Sequence, residues 1–331
     1  MAAIDMLAIG DIVTEPFIRL KEARVHCGID DENCEISMRW GDKIPYEFFV
    51  LVPAVGNASN AAVAAARLGL NAALRAYIGK ERYGEECLQV LKSEHVDTSF
   101  MVIDPVRPTN YHYVLWYESE RTILVKHEEY DYTVPDLSES PKWIYFSSLA
   151  ANSEPYHHEL MNALAKHPST KLAFQPGTFQ IRLGTEKLAD VYARTDLLFC
   201  NKEEAQTILN SHEHDVAMLL NGLRALGCKM AVITDGRNGS YAMDESGDAW
   251  RAPMYPDPKP PLERTGAGDA SAATTVSYII KGLPVAEALL RGHINSASVV
   301  QEIGAQKGLL TAEQIEEWYS RRPADFKATA L

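Results

Sequence analysis

No apolar run in the sequence approaches the roughly 18 residues that a membrane helix requires. Met1 to Gly10 carries no basic stretch ahead of its apolar residues, so a secretory signal is not expected either. Cysteine is scarce and odd in number: Cys27, Cys34, Cys87, Cys200 and Cys228, with no C-x-x-C spacing. That argues against a disulfide framework or a structural zinc site, and it predicts reduced, mostly buried thiols in a cytoplasmic protein. Positive charge is short as well: 32 Lys and Arg stand against 45 Asp and Glu, a net charge of −13. Such a chain repels phosphate backbones and anionic lipid, which excludes general nucleic-acid or membrane-surface binding. Small anions remain admissible, because a few local donors or Mg²⁺ can hold one inside an acidic protein. Tandem repeats and low-complexity tracts are missing, as are G-x-x-x-x-G-K-[ST] and H-E-x-x-H. A P-loop enzyme and a zinc protease are therefore set aside, and His157-His158 reads as part of a surface helix.

What is present suits a folded globular protein: 331 residues, 46% of them apolar and 23% charged. The length suffices for one large or two ordinary domains that bury about three quarters of the unfolded surface. Ile4 to Ile9 reads as a first buried strand ending at Gly10-Asp11. Residues 34–40 and 46–52 alternate around the turn signal Gly41-Asp42, as a half-exposed hairpin would. Asn57 to Leu68 is an Ala-rich helix closed by Gly69, followed by a strand at Ala72–Ile78 and a helix at Gly84–Ser93. Alternation returns at Asn110–Tyr117 and Arg121–Lys126.

From Pro141 onward the pattern is regular. Strands at Trp143–Phe146, Leu172–Phe174, Leu197–Cys200 and Met230–Thr234 alternate with helices at Tyr156–Lys166, Glu186–Ala193, Lys202–Leu209 and Val216–Leu226. Such alternation predicts an α/β fold, a mainly parallel sheet with helices on both faces. Three helices close the chain, at Ala270–Lys281, Val285–Glu302 and Thr311–Tyr319. The two alternating stretches interrupt this core, and we expect them to pair into one small sheet over it.

Thr265-Gly266-Ala267-Gly268-Asp269 opens directly into a small-residue helix. Unpaired N–H groups, the helix dipole and the glycines make such a turn an anion site. Asp269 is either a helix cap or a base that takes a proton from an attacking hydroxyl beside a bound phosphate. The run also grazes the dinucleotide fingerprint, but that motif needs a strand immediately before it, and here the Pro-rich connector Asp257–Pro261 and Glu263-Arg264 precede the glycines. A nicotinamide-dependent oxidoreductase is disfavoured on that ground.

Taken together, these residues resemble the PfkB/ribokinase family of small-molecule kinases. Thr265–Asp269 resembles its C-terminal signature, and Gly56-Asn57-Ala-Ser-Asn60 followed by an Ala-rich helix to Gly69 resembles its N-terminal one. Ile78-Gly-Lys-Glu-Arg-Tyr-Gly84, Asn201-Lys-Glu-Glu204 and Thr234-Asp-Gly-Arg-Asn-Gly239 follow in the family's order. The resemblance extends from Gly10 to about Gly308. It implies a single ribokinase-like domain over residues 1–331, a three-layer α/β/α core with a small β-sheet lid from about 16–52 and 108–128. It further implies ATP-dependent phosphorylation of a sugar hydroxyl.

Carried over residue by residue, Asp269 is the base, and the N–H groups of Gly266, Ala267 and Gly268 form the anion hole, a division suited to phosphoryl transfer. Asn201 and Glu204 orient Mg²⁺ through water. Thr234, Gly236, Gly239 and Thr265 lie along the nucleotide, with His293 against the adenine. Asp11, Glu15, Gly56, Asn57 and Asn60 contact the acceptor, since carboxylates and amides serve vicinal hydroxyls.

Four departures stand out: Glu15 for the usual Asp, Val55 for the first Gly of a pair, Gln175-Pro176 for Asp-Pro, and Glu263-Arg264 for Asp-Thr. Many members bind a monovalent cation at the last pair, so K⁺ is not carried over here. The alternatives are a nucleoside kinase, with Tyr111, His112, Tyr113, Trp116 and Tyr117 available to stack on a base, and a non-catalytic sugar-binding module. A homodimer through the exposed lid is the expected assembly.

Overall fold

The computed structural model describes residues 3–27, 34–118 and 120–331. The chain opens with β1 (Met6–Ile9), β2 (Val13–Leu20), β3 (Arg24–His26), β4 (Glu35–Ser37) and β5 (Tyr46–Val55), then α1 (Asn57–Arg67). There follow β6 (Ala72–Arg75), β7 (Tyr77–Gly79), α2 (Arg82–Ser93), β8 (Val102–Asp104), β9 (Asn110–Tyr111), β10 (Tyr113–Tyr117) and β11 (Glu120–Leu124). The regular half comprises β12 (Trp143–Phe146), α3 (Glu154–Leu164), β13 (Lys171–Phe174), α4 (Thr178–Leu183), α5 (Ala189–Arg194), β14 (Leu197–Asn201), α6 (Lys202–Ile208), α7 (Val216–Ala225) and β15 (Met230–Thr234). It closes with β16 (Ser240–Met243), β17 (Ala249–Ala252), α8 (Ala267–Ile280), α9 (Val285–Val299), α10 (Ala312–Ser320) and β18 (Thr329–Ala330).

Along β1, Met6 and Ala8 face one hydrophobic cluster and Leu7 and Ile9 the other, and all four are solvent-free or nearly so. A strand buried on both faces belongs inside a parallel sheet. β1 is paired on both sides within the order β18-β17-β16-β15-β14-β13-β12-β1-β6. Strands β6 through β15 along that order run parallel, and β16, β17 and β18 add an antiparallel edge. One face is covered by α1, α8 and α9, the other by α3, α5 and α7. Alanines dominate where α1 meets α8, and these short side chains bring the two helix starts close together.

A second sheet, ordered β11-β10-β2-β5 with β9 also on β2, draws its strands from both sides of the core segment that intervenes. Its largest departure from expectation is β2, eight residues long, whose Pro16 masks the strand pattern. The register shifts between Val13 and Glu15 bend it beside the site.

Two expectations need correction. Cys27 and Cys34 form a disulfide, with S–S 2.08 Å, while Cys87, Cys200 and Cys228 are buried thiols as anticipated. The hairpin register explains the pair: Arg24 faces Ser37, Val25 faces Ile36 and His26 faces Glu35, so Cys27 and Cys34 come next across the strands. Spacing alone hid this, because register depends on the turn. His157 is not a surface residue. It is solvent-free within α3, its Nδ1 at 2.7 Å from the Ser153 carbonyl, and burial pushes its pKa down to about 4. His158, beside it, is the solvent-facing partner, 2.8 Å from Asp190.

Candidate active site

The carboxyl ends of β1, β12, β13, β14 and β15 open onto one cleft, where ligands of parallel sheets are generally held. Gly266 stands at the start of α8 with φ +79°, and a Cβ there would lie 2.3 Å from the Ala305 Cβ. Only glycine meets both demands. No side chain caps this helix start, where Gly266 and Gly268 line the cleft and the Ala267 N–H donates to the Arg264 carbonyl at 3.4 Å.

Asp269 follows on the first turn, and its carboxylate does not serve as a cap. Oδ1 accepts from Asn57 Nδ2 at 2.9 Å and Gln175 Nε2 at 3.2 Å, and Oδ2 accepts from Asn60 Nδ2 at 2.8 Å. The amides are themselves held. Tyr145 donates to Gln175 Oε1, and Gln306 Nε2 donates to Asn60 Oδ1 at 3.0 Å. Burial raises the Asp269 pKa above the usual 3.8; the Asn60 and Gln175 donors oppose it, Glu15 adds to it and Arg121 opposes it. A carboxylate so placed holds a proton more readily than an exposed one.

On one side of Asp269 a hollow is lined by Thr234, Gly236, Gly239, Arg264, Ala267, Gly268 and His293. Four of the predicted nucleotide residues, Thr234, Gly236, Gly239 and His293, thus meet around a single space, and Thr265 lines the adjoining one at Asp269. Thr265 is buried beside it with its hydroxyl unpartnered, and its N–H donates to Glu263 Oε2 at 2.6 Å. His293 is buried with Nε2 unpartnered, and burial pushes its pKa down to about 4. Glu263 accepts a second N–H from Gly304 at 2.9 Å on its other oxygen, so both oxygens tie loops together.

Asn201 and Glu204 form a reciprocal helix cap. Asn201 Oδ1 accepts from the Glu204 N–H at 2.7 Å, and Glu204 Oε2 from the Asn201 N–H at 2.8 Å. Both line the space leading to Asp269. Burial, and next the Asp269 and Glu203 charges against the Asn201 N–H, set the Glu204 pKa above its usual value. Its Oε1 is without a hydrogen bond among the described residues. Among the described residues no three His, Cys, Asp or Glu cluster as a closed metal cage. One carboxylate and one amide suit a hard cation that keeps most of its waters.

On the other side lies the acceptor hollow, about 500 Å³, lined by Asp11, Glu15, Gly56, Asn57, His112, His127, Phe179 and Arg182 among others. Glu15, Gly56 and Asn57 also line the space around Asp269, so the two hollows are continuous. Gly56 has φ +109°, and a Cβ there would fall 2.7 Å from the Asp11 carbonyl oxygen. Asn60 reaches only the Asp269 side, and Val55 lines it too. Asp11, expected to face substrate hydroxyls, lines this hollow, with Oδ2 at 2.6 Å from His127 Nδ1 and Oδ1 accepting from Tyr132 Oη at 2.9 Å. Glu15 lies 3.5 Å from His112 Nδ1.

Sequence reasoning missed His127, Tyr132, Arg121 and Arg182, which come from the lid, the segment behind it and α4. His127, Tyr132 and Arg121 had one signal, a position in or near the expected lid, and Arg182 had none. The lid aromatics pack on their neighbours: Tyr111 on Tyr83 and Tyr113, and Trp116 on Phe48 and under Arg19. Of the five ring-bearing lid residues proposed for stacking, His112 alone lines the acceptor hollow.

The description of pfkB family carbohydrate kinases matches residues 50–312. The chain is 24% identical over 281 residues to a 5-dehydro-2-deoxygluconokinase of Bacillus subtilis (strain 168), covering 79% of this chain and 85% of that protein. The ribokinase of Arabidopsis thaliana, solved with ribose and ATP, superposes with a TM-score of 0.79 at 14% identity, over 96% of this chain and 98% of that one. A nucleoside kinase of Methanocaldococcus jannaschii superposes with a TM-score of 0.77 at 17% identity, over 97% of this chain and 100% of that one.

Proposed function

The chain belongs to the pfkB family of carbohydrate kinases, which transfer a phosphoryl group from ATP to a sugar hydroxyl, and from that premise we propose that Asp269 is its base. The observation that carries the reading is the Asp269 carboxylate, held by three amide donors where the nucleotide and acceptor hollows join. Asp269 takes the proton of the acceptor hydroxyl as that oxygen bonds to the γ-phosphorus. The N–H groups of Gly266, Ala267 and Gly268 receive the charge that builds on the transferred group, and Arg121 and Arg264, which line the same space, add to it. Thr234, Gly236, Gly239, Thr265 and His293 hold the nucleotide. Gly56, Asn57 and Asn60 shape the acceptor seat. Mg²⁺, when bound, would neutralise phosphate charge, and the free Oε1 of Glu204 beside Asn201 fits it through water.

The packing of the lid aromatics supports a sugar over a nucleoside, and the intact base and glycine turn support a catalyst over a binding module. Relatives named 5-dehydro-2-deoxygluconokinase make that compound an early acceptor to assay. We place the reaction in the cytoplasm, where ATP is available. A homodimer through the lid belongs to the same reading.

Asp269→Asn is expected to lower kcat by about 10²- to 10⁴-fold, the span of general-base contributions. ATP affinity by calorimetry should stay within a few-fold. The wild-type kcat should fall toward acid with a midpoint above 3.8, because the Asp269 pKa is raised and the proton-bound form is inactive. Near-normal turnover of the variant would overturn the assignment.

A further inference from the structure

The amides that hold Asp269 are fixed in turn by residues 304–310, the irregular segment between α9 and α10. This segment is anchored along its length. The Gly304 N–H donates to Glu263 at 2.9 Å, and Ala305 packs on Gly266 closely enough to bar a Cβ there. Arg67, on the last turn of α1, donates through Nη1 to the Gln306 and Leu309 carbonyls at 2.8 Å each. Its other nitrogens pair with Glu94 at 2.8 and 2.6 Å. The Leu310 N–H donates to Asn295 Oδ1 at 2.9 Å. Helix α1 therefore grips the segment from both of its own ends, through Asn60 near its start and Arg67 at its close.

Gln306 is where the segment meets the base. Its side chain is buried and lines none of the hollows around Asp269. Nε2 donates to the Ala54 carbonyl at 2.6 Å and to Asn60 Oδ1 at 3.0 Å. The two ends of this relay decide which way both amides point. A carbonyl can only accept, so Gln306 must present Nε2 to Ala54. A charged carboxylate can only accept as well, so Asn60 presents Nδ2 to Asp269 and Oδ1 to Gln306. A flip of either amide sets oxygen against oxygen at one end. Ala54 itself stands at φ +61°, a left-handed backbone that alanine rarely adopts, and its carbonyl takes a second bond from the Ser59 hydroxyl. An apolar side chain of the same volume at 306 would leave Asn60 Oδ1 without its donor and the Ala54 carbonyl one donor short.

We propose that Gln306 is a positioning residue for phosphoryl transfer: lining no substrate hollow itself, it fixes the Asn60 amide that holds Asp269 and so sets the base against the acceptor hydroxyl. The inference rests on the reading of Asp269 as the base. An asparagine free about its own torsions holds a carboxylate loosely, whereas one tied at Oδ1 is preorganised, and proton transfer depends on that placement.

Two readouts test it. Infrared titration of Asp269, its carboxyl band identified by loss in Asp269→Asn, reports the amide cradle without any acceptor. ADP release with ribose and with 5-dehydro-2-deoxygluconate reports transfer. Gln306→Met should raise the Asp269 midpoint by at least about half a pH unit, because the Asn60 donor that holds it down is loosened. Glu15, Arg121 and Glu204, the charges acting on Asp269, are the same in every variant. The kcat should fall about 3- to 10-fold, with the KM for ATP within about twofold of wild type. In an Asn60→Ala background, Gln306→Met should add nothing to either readout. Gln306→Asn keeps the amide one methylene short and should fall between, and it carries the test if Gln306→Met does not fold. A lower denaturation midpoint with an unmoved Asp269 titration, or kcat losses that simply multiply with Asn60→Ala, overturns the proposal. A moved titration beside near-normal turnover of Asp269→Asn sinks the base reading and keeps the cradle, whereas an unmoved one beside an inactive Asp269→Asn does the reverse.

Discussion

Two buried histidines carry a cost that pH exposes. Burial pushes His157 and His293 down to about 4, against 6.5 in an open chain. The unfolded chain therefore binds more protons between those values, and stability must fall as pH drops from 6.5 toward 4. His157→Gln, far from the cleft, should flatten that slope by about 1–3 kcal/mol between pH 7 and 4.5, read from denaturant midpoints at each pH. An unchanged slope would contradict the burial assignment. Residues at this scale were unevenly legible in the sequence. Thr265–Asp269 was readable because a glycine turn opening a helix is a local pattern. Whether Asp269 caps the helix or accepts from Asn57, Asn60 and Gln175 is a matter of where its carboxylate points, which only the assembled fold decides. That Asp11 is engaged by His127 was hidden, since the two lie 116 positions apart.

Helices and strands tell a similar story one level up. The turn before α8 works because Gly266 can hold φ +79° against Ala305. Gly266→Ala adds left-handed backbone strain of about 1–2 kcal/mol, and a Cβ 2.3 Å from the Ala305 Cβ must also move something. We expect a lower denaturation midpoint together with a kcat loss that exceeds any change in ATP affinity, since the anion hole proposed above would shift with the turn. A variant with wild-type kcat would show that the turn tolerates another geometry. The alternation of β12 to β15 with their helices was legible, because apolar runs of that length recur between clear helix signals. Strands β16, β17 and β18 were not, because an antiparallel edge of two to four residues per strand is too short to show a period, and β2 was obscured by Pro16.

For the whole molecule, the open question is what covers the lid. Ile18 pairs with Phe49 and with Leu115, and Tyr113 with Leu124, so these side chains share the face opposite Phe17, Val50 and Val114. Phe49, Tyr113 and Leu124 are more than 45% exposed, a contiguous apolar surface of the kind that seeks a partner. If a second copy covers it, Phe49→Asp should convert a sedimenting dimer to a monomer while leaving the far-UV spectrum unchanged. A wild-type monomer at micromolar concentration would remove the assembly.

The amide cradle of Asp269 also bears on how the protein is made. Its asparagine donors precede the carboxylate by 212 and 209 positions. On the ribosome, α1 therefore emerges and waits through most of synthesis with its two asparagines unanswered. A truncated or prematurely released chain that ends before α8 lacks Asp269 and Gly268, the base and part of the anion turn proposed above. On the proposed reading, phosphotransfer arrives in one step, when the last fifth of the chain docks, and chains that end before α8 do not transfer phosphate.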